Sequence, residues 1–321
     1  MCTLIVLDRC VSDRPLVVAA NRDEFLDRPA EGPALRSTRT GPIVAPLDLE
    51  AGGTWLGLSA RGVFAGLTNL RAESVVSSEA GPDPLARRSR GEVVMAALES
   101  ATTDEALQRI SQLEEDSYNP FQLLVSDGRR CALVVYRGRP RVVELEPGVH
   151  VVGNVEDEGH APSLPTGSAP RPEGSIGKTI GESPGSPFQA GCDGRALGLD
   201  TAEPGRRKLT RVRERVEKLM TDPDRDLFEG LAGICREHVG GEGPSTSRAS
   251  AVAAAGPPGA SPFESTCVHV ADRYGTRSSL LLELAIGSRE SRLWTTDGPP
   301  CVRPFANRSS LLRELGLRPG V

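Results

Sequence analysis

Two short apolar stretches near the start of the chain, separated by a turn, constrain its fold more than any other feature. Residues 3–7 (Thr-Leu-Ile-Val-Leu) and 15–20 (Pro-Leu-Val-Val-Ala-Ala) have the apolar, β-branched composition that is typical of buried strands. The segment 12–15 between them (Ser-Asp-Arg-Pro) is a turn signal, so the sequence predicts a β-hairpin. The residues that follow the second strand are then expected beside Cys2, which directly precedes the first strand.

The rest of the chain alternates between predicted hairpins and predicted helices. A hydroxyl of Thr102 or Thr103 is expected to cap one helix by accepting a free first-turn amide. Because hairpins outnumber parallel crossover units, we expect an α+β fold with mostly antiparallel sheets. The remaining predicted strands cover 54–59, 63–69, 121–126, 131–136, 141–145, 150–152, 266–270, 277–285 and 291–295, and the predicted helices cover 91–100, 104–113, 206–220, 224–239 and 309–315.

Two segments, at about 156–205 and 240–261, interrupt this pattern. Both are rich in small or turn-forming residues and have little apolar periodicity. Such segments bury too little apolar surface to offset the entropy lost on ordering. We therefore predict a single domain over residues 1–321 with two flexible insertions.

The charge distribution argues against several classes of partner. The net charge is −5, and the densest basic run, at 206–215, is interleaved with acidic residues at helical spacing. We interpret this run as a solvated helix face and expect no nucleic-acid partner. No stretch of 18 apolar residues and no signal peptide is visible, so we predict no membrane-spanning segment and a cytoplasmic location.

The cysteines and histidines form no recognisable spacing motif. The seven cysteines lie far apart without a CxxC pair, and the four histidines form no HExxH set. From spacing alone we expect neither a disulfide framework nor a metal site, and no bound cofactor.

Cys2 is the first candidate for chemistry. If Met1 is removed, Cys2 carries both a thiol and a free α-amino group, whose pKa is ordinarily about 7.7–8.0. That amine can accept the thiol proton, so nucleophile and base belong to one residue, as in N-terminal-nucleophile proteins. The alternative interpretation is a small buried apolar residue, which is a common role for cysteine.

The polar motif Asn21-Arg22-Asp23-Glu24-Phe25 follows the second strand and strengthens that candidate. If the hairpin forms, Asp23 lies near the α-amine of Cys2 and can orient it. Arg22 carries a guanidinium that can stabilise a thiolate and lower its pKa. The alternative is a strand exit at which Asp and Asn make local turn bonds.

Several motifs together resemble the NRDE family, the family of the transport and Golgi organisation protein 2. The resemblance covers about residues 1–154 and 206–296. It rests on Met-Cys-Thr-Leu-Ile at 1–5, Ala-Asn-Arg-Asp-Glu-Phe at 20–25 with Arg-Pro at 28–29, Gly-Gly-Thr-Trp-Leu-Gly at 52–57, Ala-Gly-Leu-Thr-Asn at 65–69 and Tyr-Gly-Thr-Arg at 274–277.

That family is similar in turn to the N-terminal-nucleophile cysteine amidases, which implies a four-layer αββα sandwich and an amide hydrolase or acyl-transfer function. The resemblance departs at Ala20, where the amidases carry an arginine. We do not expect Arg22 to replace it, because adjacent strand residues point to opposite faces. The implied roles are nucleophile for Cys2, amine contact for Asp23, oxyanion donors for Asn154 and for the segment Thr68-Asn69, and a position near the nucleophile for Arg277, with Asn21 and Arg22 as further binding candidates.

Two of these roles have a purely structural alternative. Asn154 could be a turn residue at a strand end, and Arg277 could form a surface salt bridge with Asp272 or Glu283.

The resemblance also supports an alternative without catalysis. Eukaryotic members are linked to haem trafficking and lipid metabolism, which implies a carrier for haem or for a lipid or acyl ligand. Cys2 or His269 would then be an axial haem ligand, bound without covalent attachment because no CxxCH motif occurs. Under either hypothesis the expected partner is a small molecule.

Overall fold

The computed structural model describes residues 2–70, 87–156, 202–222, 224, 226–239, 261–286 and 290–317. Its strands pair antiparallel in two sheets of seven strands each. The strands are β1 (Thr3–Val11), β2 (Arg14–Phe25), β3 (Ala30–Thr38), β4 (Gly41–Asp48), β5 (Leu56–Ser59), β6 (Phe64–Asn69), β7 (Phe121–Ser126), β8 (Cys131–Tyr136), β9 (Pro140–Leu145), β10 (Gly148–Val152), β11 (His269–Val270), β12 (Tyr274–Leu284), β13 (Arg292–Asp297) and β14 (Ala306–Asn307).

The first sheet has the order β10-β1-β2-β12-β13-β14, with β11 also paired to β12, and the second runs from β3 to β9 in sequence order. Five α-helices and one short 3₁₀-helix at Pro262–Glu264 accompany the sheets in the described ranges. The α-helices are α1 (Gly91–Leu98), α2 (Thr103–Ile110), α3 (Ala202–Thr221), α4 (Leu227–Arg236) and α5 (Ser310–Glu314).

The helices and sheets stack in four layers. Alternation along β1 shows why: Leu4 and Val6 pack between the two sheets, while Ile5 and Leu7 pack under α3 and α4. On the other side, α1 and α2 cover the outer face of the second sheet. Each sheet is therefore buried on both faces, and the predicted α+β fold with an αββα sandwich is confirmed.

Local patterns placed most elements correctly. Strands β7 and β8 have the predicted bounds, and the side chain of Thr102 caps α2 by accepting the N–H of Glu105 at 3.2 Å. Helix α4 begins at Leu227, later than predicted, because Asp226 caps it by accepting from the N–H groups of Phe228 and Glu229.

Other predictions were wrong. The sequence analysis missed β3 and β4, and the edge strand β3 is mostly exposed or half-buried, so its apolar alternation is weak. Of the strand predicted at 266–270 only the last two residues pair, as β11. Helix α3 begins at Ala202, inside the first predicted insertion; most of both insertions lies outside the described residues. Within the described part of the chain, no helix has the length and apolar character needed to cross a membrane.

Candidate active site

Cys2 lies at one end of the interface between the two sheets, where β1 begins. Thr3 pairs with Asn21, which puts Cys2 level with Arg22 on the neighbouring strand β2. Cys2 is half-buried and lines a cavity of about 810 Å³. The sequence-predicted site residues in the cavity wall are Cys2, Asn21, Arg22, Thr68 and Arg277, whereas Asp23, Asn69 and Asn154 lie outside it.

Alternation along β2 divides the polar motif between two faces. Ala20 and Arg22 are two residues apart, so both face the cavity on the same side as Cys2. The expectation that Arg22 points away from the position of Ala20 was therefore wrong. Asp23 and the side chain of Asn21 face the layer of α3 and α4 instead.

The guanidinium of Arg22 is buried and held from three sides. It lies 4.2 Å from the centre of the Trp55 ring, a cation–π contact. Its Nη2 lies 3.8 Å from Glu24 and 3.7 Å from Asp48. These distances exceed hydrogen-bond length, so Arg22 keeps donors that can serve a ligand in the cavity.

Asp23 is fully buried behind Cys2 and interacts with three side chains from other elements. Thr276 donates a hydrogen bond of 2.6 Å to its Oδ1, and Nζ of Lys208 lies 3.7 Å from its Oδ2. The hydroxyl of Tyr274 donates to its backbone carbonyl at 3.1 Å. A carboxylate in this position is held in one orientation beneath the start of β1.

Lys208 corrects the interpretation of the basic run as a solvated helix face. Its side chain is fully buried, and its Nζ lies 3.7 Å from Oδ2 of Asp23. The sequence did contain a signal: Lys208, Val212 and Val216 recur every four residues, and both valines are buried in the core under α3. A lysine on such an apolar stripe needs a buried partner, which the helix sequence alone does not identify.

Burial and charge act against each other in this group. Burial raises the pKa of Asp23 and lowers the pKa of Lys208, while the attraction between the two charges opposes both shifts. Burial also raises the pKa of the Cys2 thiol; the Asp23 carboxylate raises it further, and the Arg22 guanidinium lowers it. Cys2 thus lies between an anion and a cation that pull its pKa in opposite directions.

The predicted oxyanion donors lie at the junction of the second sheet with β10. Thr68 is in the cavity wall, and its hydroxyl donates to the carbonyl of Gly153 at 2.7 Å. Asn154 is buried, and its side-chain amide donates to the carbonyl of Asn69 at 2.6 Å. The structure therefore brings the two segments, 68–69 and 153–154, together and links them by hydrogen bonds.

Arg277 occupies a β-bulge. Thr276 pairs with Asp23 and Ser278 pairs with Arg22, so Arg277 is an extra residue on β12. Its guanidinium donates to the backbone carbonyls of Phe25, Leu26 and Arg28, where the chain leaves β2. Glu283, one of the two carboxylates considered as partners of Arg277, pairs with Arg14 and Arg292 instead.

The side chains of two other candidates, Asn21 and His269, make contacts outside the cavity. The amide of Asn21 donates to the carbonyls of Cys235 and Thr266, at 2.9 and 2.8 Å, which fastens α4 and the segment before β11 to β2. The imidazole of His269 contacts the sulfur atoms of Cys267 and Cys301 and is outside the cavity wall.

Comparison with known proteins gives one family match. A family model described as Transport and Golgi organisation 2 matches residues 1–168. The Transport and Golgi organization 2 homolog of Mus musculus is 34% identical over 147 residues, which cover 43% of this chain and 50% of the mouse protein. The chain thus spans about half the length of the curated relatives it matches.

Solved structures with a similar overall shape include two hydrolases. The C2A mutant of conjugated bile acid hydrolase from Clostridium perfringens has 11% identity and a TM-score of 0.48, covering 97% of this chain and 93% of its own. An N-acylethanolamine-hydrolyzing acid amidase ortholog from Caenorhabditis elegans has 13% identity and a TM-score of 0.37, covering 70% of this chain and 88% of its own.

Proposed function

We propose that this chain, which belongs to the Transport and Golgi organisation 2 family, is a cysteine amidohydrolase or acyl-transfer protein that uses Cys2 after removal of Met1. One observation carries the proposal: Cys2 lines a cavity of about 810 Å³ and lies beside the strand that holds the buried Asp23. A nucleophile, a substrate space and a fixed carboxylate therefore meet at the start of β1.

The proposed reaction uses the α-amine of processed Cys2 as its base. The amine takes the thiol proton, and the sulfur attacks the substrate carbonyl carbon, forming a C–S bond and an oxyanion. When the oxyanion collapses, the C–N bond breaks and the ammonium of Cys2 returns the proton to the leaving amine. Water, or an acyl acceptor, then attacks the thioester, and the sulfur leaves as a thiolate that recovers its proton.

The surrounding residues support these steps by charge. Asp23 accepts from the α-ammonium and keeps it next to the thiol, and Lys208 balances the carboxylate in the interior. Arg22 favours the thiolate from the cavity side. A preorganised donor at the oxyanion contributes about 3–4 kcal/mol to lowering the barrier, and the backbone of the segment Thr68-Asn69, whose first residue lines the cavity, is proposed to supply it.

The cavity wall also suggests the type of substrate. Arginines outnumber acidic residues there, so the field favours an acyl compound that carries a negative charge. The charged residues of the wall are Arg22, Arg277, Arg303 and Arg308 against Glu31 and Asp297.

The test combines intact mass with covalent labelling. The purified full chain is expected to lack Met1 and to gain one acyl group from an electrophilic acyl probe. Cys2→Ala is expected to abolish the labelling, and Cys10→Ala, which removes another half-buried cysteine, is expected to leave it unchanged. Retention of Met1 would contradict the proposal, because the α-amine would then not belong to Cys2; equal labelling of the two variants would also contradict it.

A non-catalytic carrier is the second candidate, and the size of the cavity favours it. Its volume of about 810 Å³ falls within the range of about 300–1,000 Å³ that is usual for small-molecule sites. Of the two haem ligands proposed from the sequence, Cys2 lines this cavity and His269 does not. A saturable Soret shift on haem titration that Cys2→Ala removes would support a haem carrier, whereas no shift in the unmodified chain would reject it.

A further inference from the structure

Two histidines and two cysteines lie together on the side of the first sheet away from the cavity. They come from three separate segments: His238 follows α4, Cys267 and His269 lie just before and at the start of β11, and Cys301 follows β13. One ligand atom from each residue lies within 4.8 Å of the other three. Three of the four residues are half-buried and Cys267 is buried, so the group is largely shielded from water.

The distances within this cluster match the edges of a metal-centred tetrahedron. Zn–S bonds of about 2.3 Å and Zn–N bonds of about 2.0–2.1 Å give S···S edges of about 3.8 Å and S···N edges of about 3.6 Å. The sulfur atoms of Cys267 and Cys301 lie 3.5 Å apart. Nε2 of His269 lies 3.5 Å from the first sulfur and 3.2 Å from the second. The ring of His238 lies 5.2 Å from the ring of His269 and completes the set.

The backbone around the four residues is held by hydrogen bonds. The N–H of Cys267 donates to the carbonyl of Glu237 at 3.0 Å, which links the segments that carry Cys267 and His238. His269 pairs with Gly275 across β11 and β12. A Cβ at Gly275 would lie 2.6 Å from the carbonyl oxygen of Val268, so the close approach of these strands requires glycine. These contacts hold the backbone that carries His238, Cys267 and His269 in place.

We propose that His238, Cys267, His269 and Cys301 bind one zinc ion in a closed tetrahedral site. Two sulfur and two imidazole donors suit zinc and disfavour magnesium and calcium, which prefer oxygen ligands. Four protein ligands leave no position for substrate, which is characteristic of a structural rather than a catalytic site. On binding, the two thiols release their protons to solvent, and the two thiolate charges neutralise the ion; no electron is transferred.

The proposed site connects directly to the residue behind Cys2. Val268, which lies between two of the ligands, donates its N–H to Oγ1 of Thr276 at 2.8 Å. The same hydroxyl donates to Asp23 at 2.6 Å. On the other side, Cys301 is two residues before Arg303, which lines the cavity. Zinc at this site would therefore fix both the partner of Asp23 and one part of the cavity wall.

The first experiment measures metal in the full chain, produced without a polyhistidine tag. One zinc per chain is expected in the unmodified protein and in Cys10→Ser, and loss of bound zinc is expected in the double variant Cys267→Ser/Cys301→Ser. X-ray absorption of the unmodified, zinc-bound chain is expected to show two sulfur neighbours at about 2.3 Å and two nitrogen neighbours at about 2.0 Å.

A second measurement keeps the proposal testable if the double variant does not fold. The unmodified chain is stripped with a chelator and titrated with Co²⁺, which should produce thiolate charge-transfer and tetrahedral d–d absorption bands. A stripped chain that rebinds neither ion, a coordination shell of oxygen and nitrogen only, or a disulfide between Cys267 and Cys301 in protein isolated without oxidant would each overturn the zinc site. None of these results depends on hydrolytic activity.

Discussion

The two faces of β2 use the same short motif in different ways. On the cavity face, Arg22 is held by a tryptophan ring and by carboxylates at 3.7–3.8 Å. On the helix face, Asp23 is fully buried with a hydroxyl at 2.6 Å and the equally buried Lys208 at 3.7 Å. Adjacent residues of one strand therefore belong to an open site and to a closed interior group.

This difference separates ligand binding from structural support. A buried ion pair costs desolvation energy that hydrogen bonds and the opposite charge must offset, so losing one partner is expensive. Arg22 is also buried, but it borders the cavity and can exchange partners when a ligand arrives. Substitutions on the helix face should thus change stability most, and substitutions on the cavity face should change Cys2 chemistry with little loss of stability.

The largest expected effect of a single substitution is that of Lys208→Met. It removes the buried cation that faces the Asp23 carboxylate, and we expect the free energy of unfolding to fall by about 3–5 kcal/mol. Denaturant unfolding measures this. Lys218→Met, an exposed lysine on the same helix, is the control and should change stability by no more than about 0.5 kcal/mol.

A double variant tests whether the pair accounts for the effect. Asp23→Asn combined with Lys208→Met removes both charges, so it should be less destabilised than Lys208→Met alone. If Lys208→Met behaves like Lys218→Met, the two faces of β2 do not differ in the proposed way.

The next largest effect is expected from Thr276→Val. This nearly isosteric change removes the hydroxyl that donates to Asp23 and accepts from Val268, and should cost about 1–3 kcal/mol of stability. Thr276→Ser retains the hydroxyl and should recover most of the loss. Equal stability of the two variants in thermal unfolding would show that these hydrogen bonds contribute nothing net.

A smaller effect is expected on the cavity face. Trp55→Leu removes the ring against which Arg22 packs, and should cost about 0.5–2 kcal/mol. Trp55→Phe keeps an aromatic face and should lose less. A loss from Trp55→Leu as large as that from Lys208→Met would contradict the proposed difference between the two faces.

The smallest expected effect is a shift in the pH dependence of Cys2 reactivity. Arg22 lowers and Asp23 raises the pKa of its thiol, and the thiolate is the species that reacts. Arg22→Gln should therefore move the pH dependence of Cys2 alkylation to higher pH, and Asp23→Asn should move it to lower pH. Mass spectrometry of alkylation rates, with the same N-terminal residue in every variant, measures both; shifts in the same direction would disprove the opposed influence.

Local sequence patterns predicted a large part of the fold. The hairpin of β1 and β2, the strands β7 and β8 and the cap of α2 all follow from residues that are close in the chain. Alternation failed at the edge strand β3, where exposure weakens the apolar pattern and Pro33 interrupts the strand, and at the inner strand β4, which contains Pro42 and Pro46. The direction predicted for Arg22 was wrong because Ala20 and Arg22 are two residues apart and strand alternation has a period of two, which places both on one face.

The sequence by itself determined that Cys2 would lie beside the polar motif of β2, because antiparallel pairing across a hairpin is a local property of the chain. Only the tertiary structure decided which buried cation faces Asp23 and that His238, Cys267, His269 and Cys301 meet. Spacing rules detect ligands carried by one turn or one hairpin. Here, packing of α3, of the end of α4 and of the loop after β13 around the first sheet brings together side chains that have no regular separation in the chain.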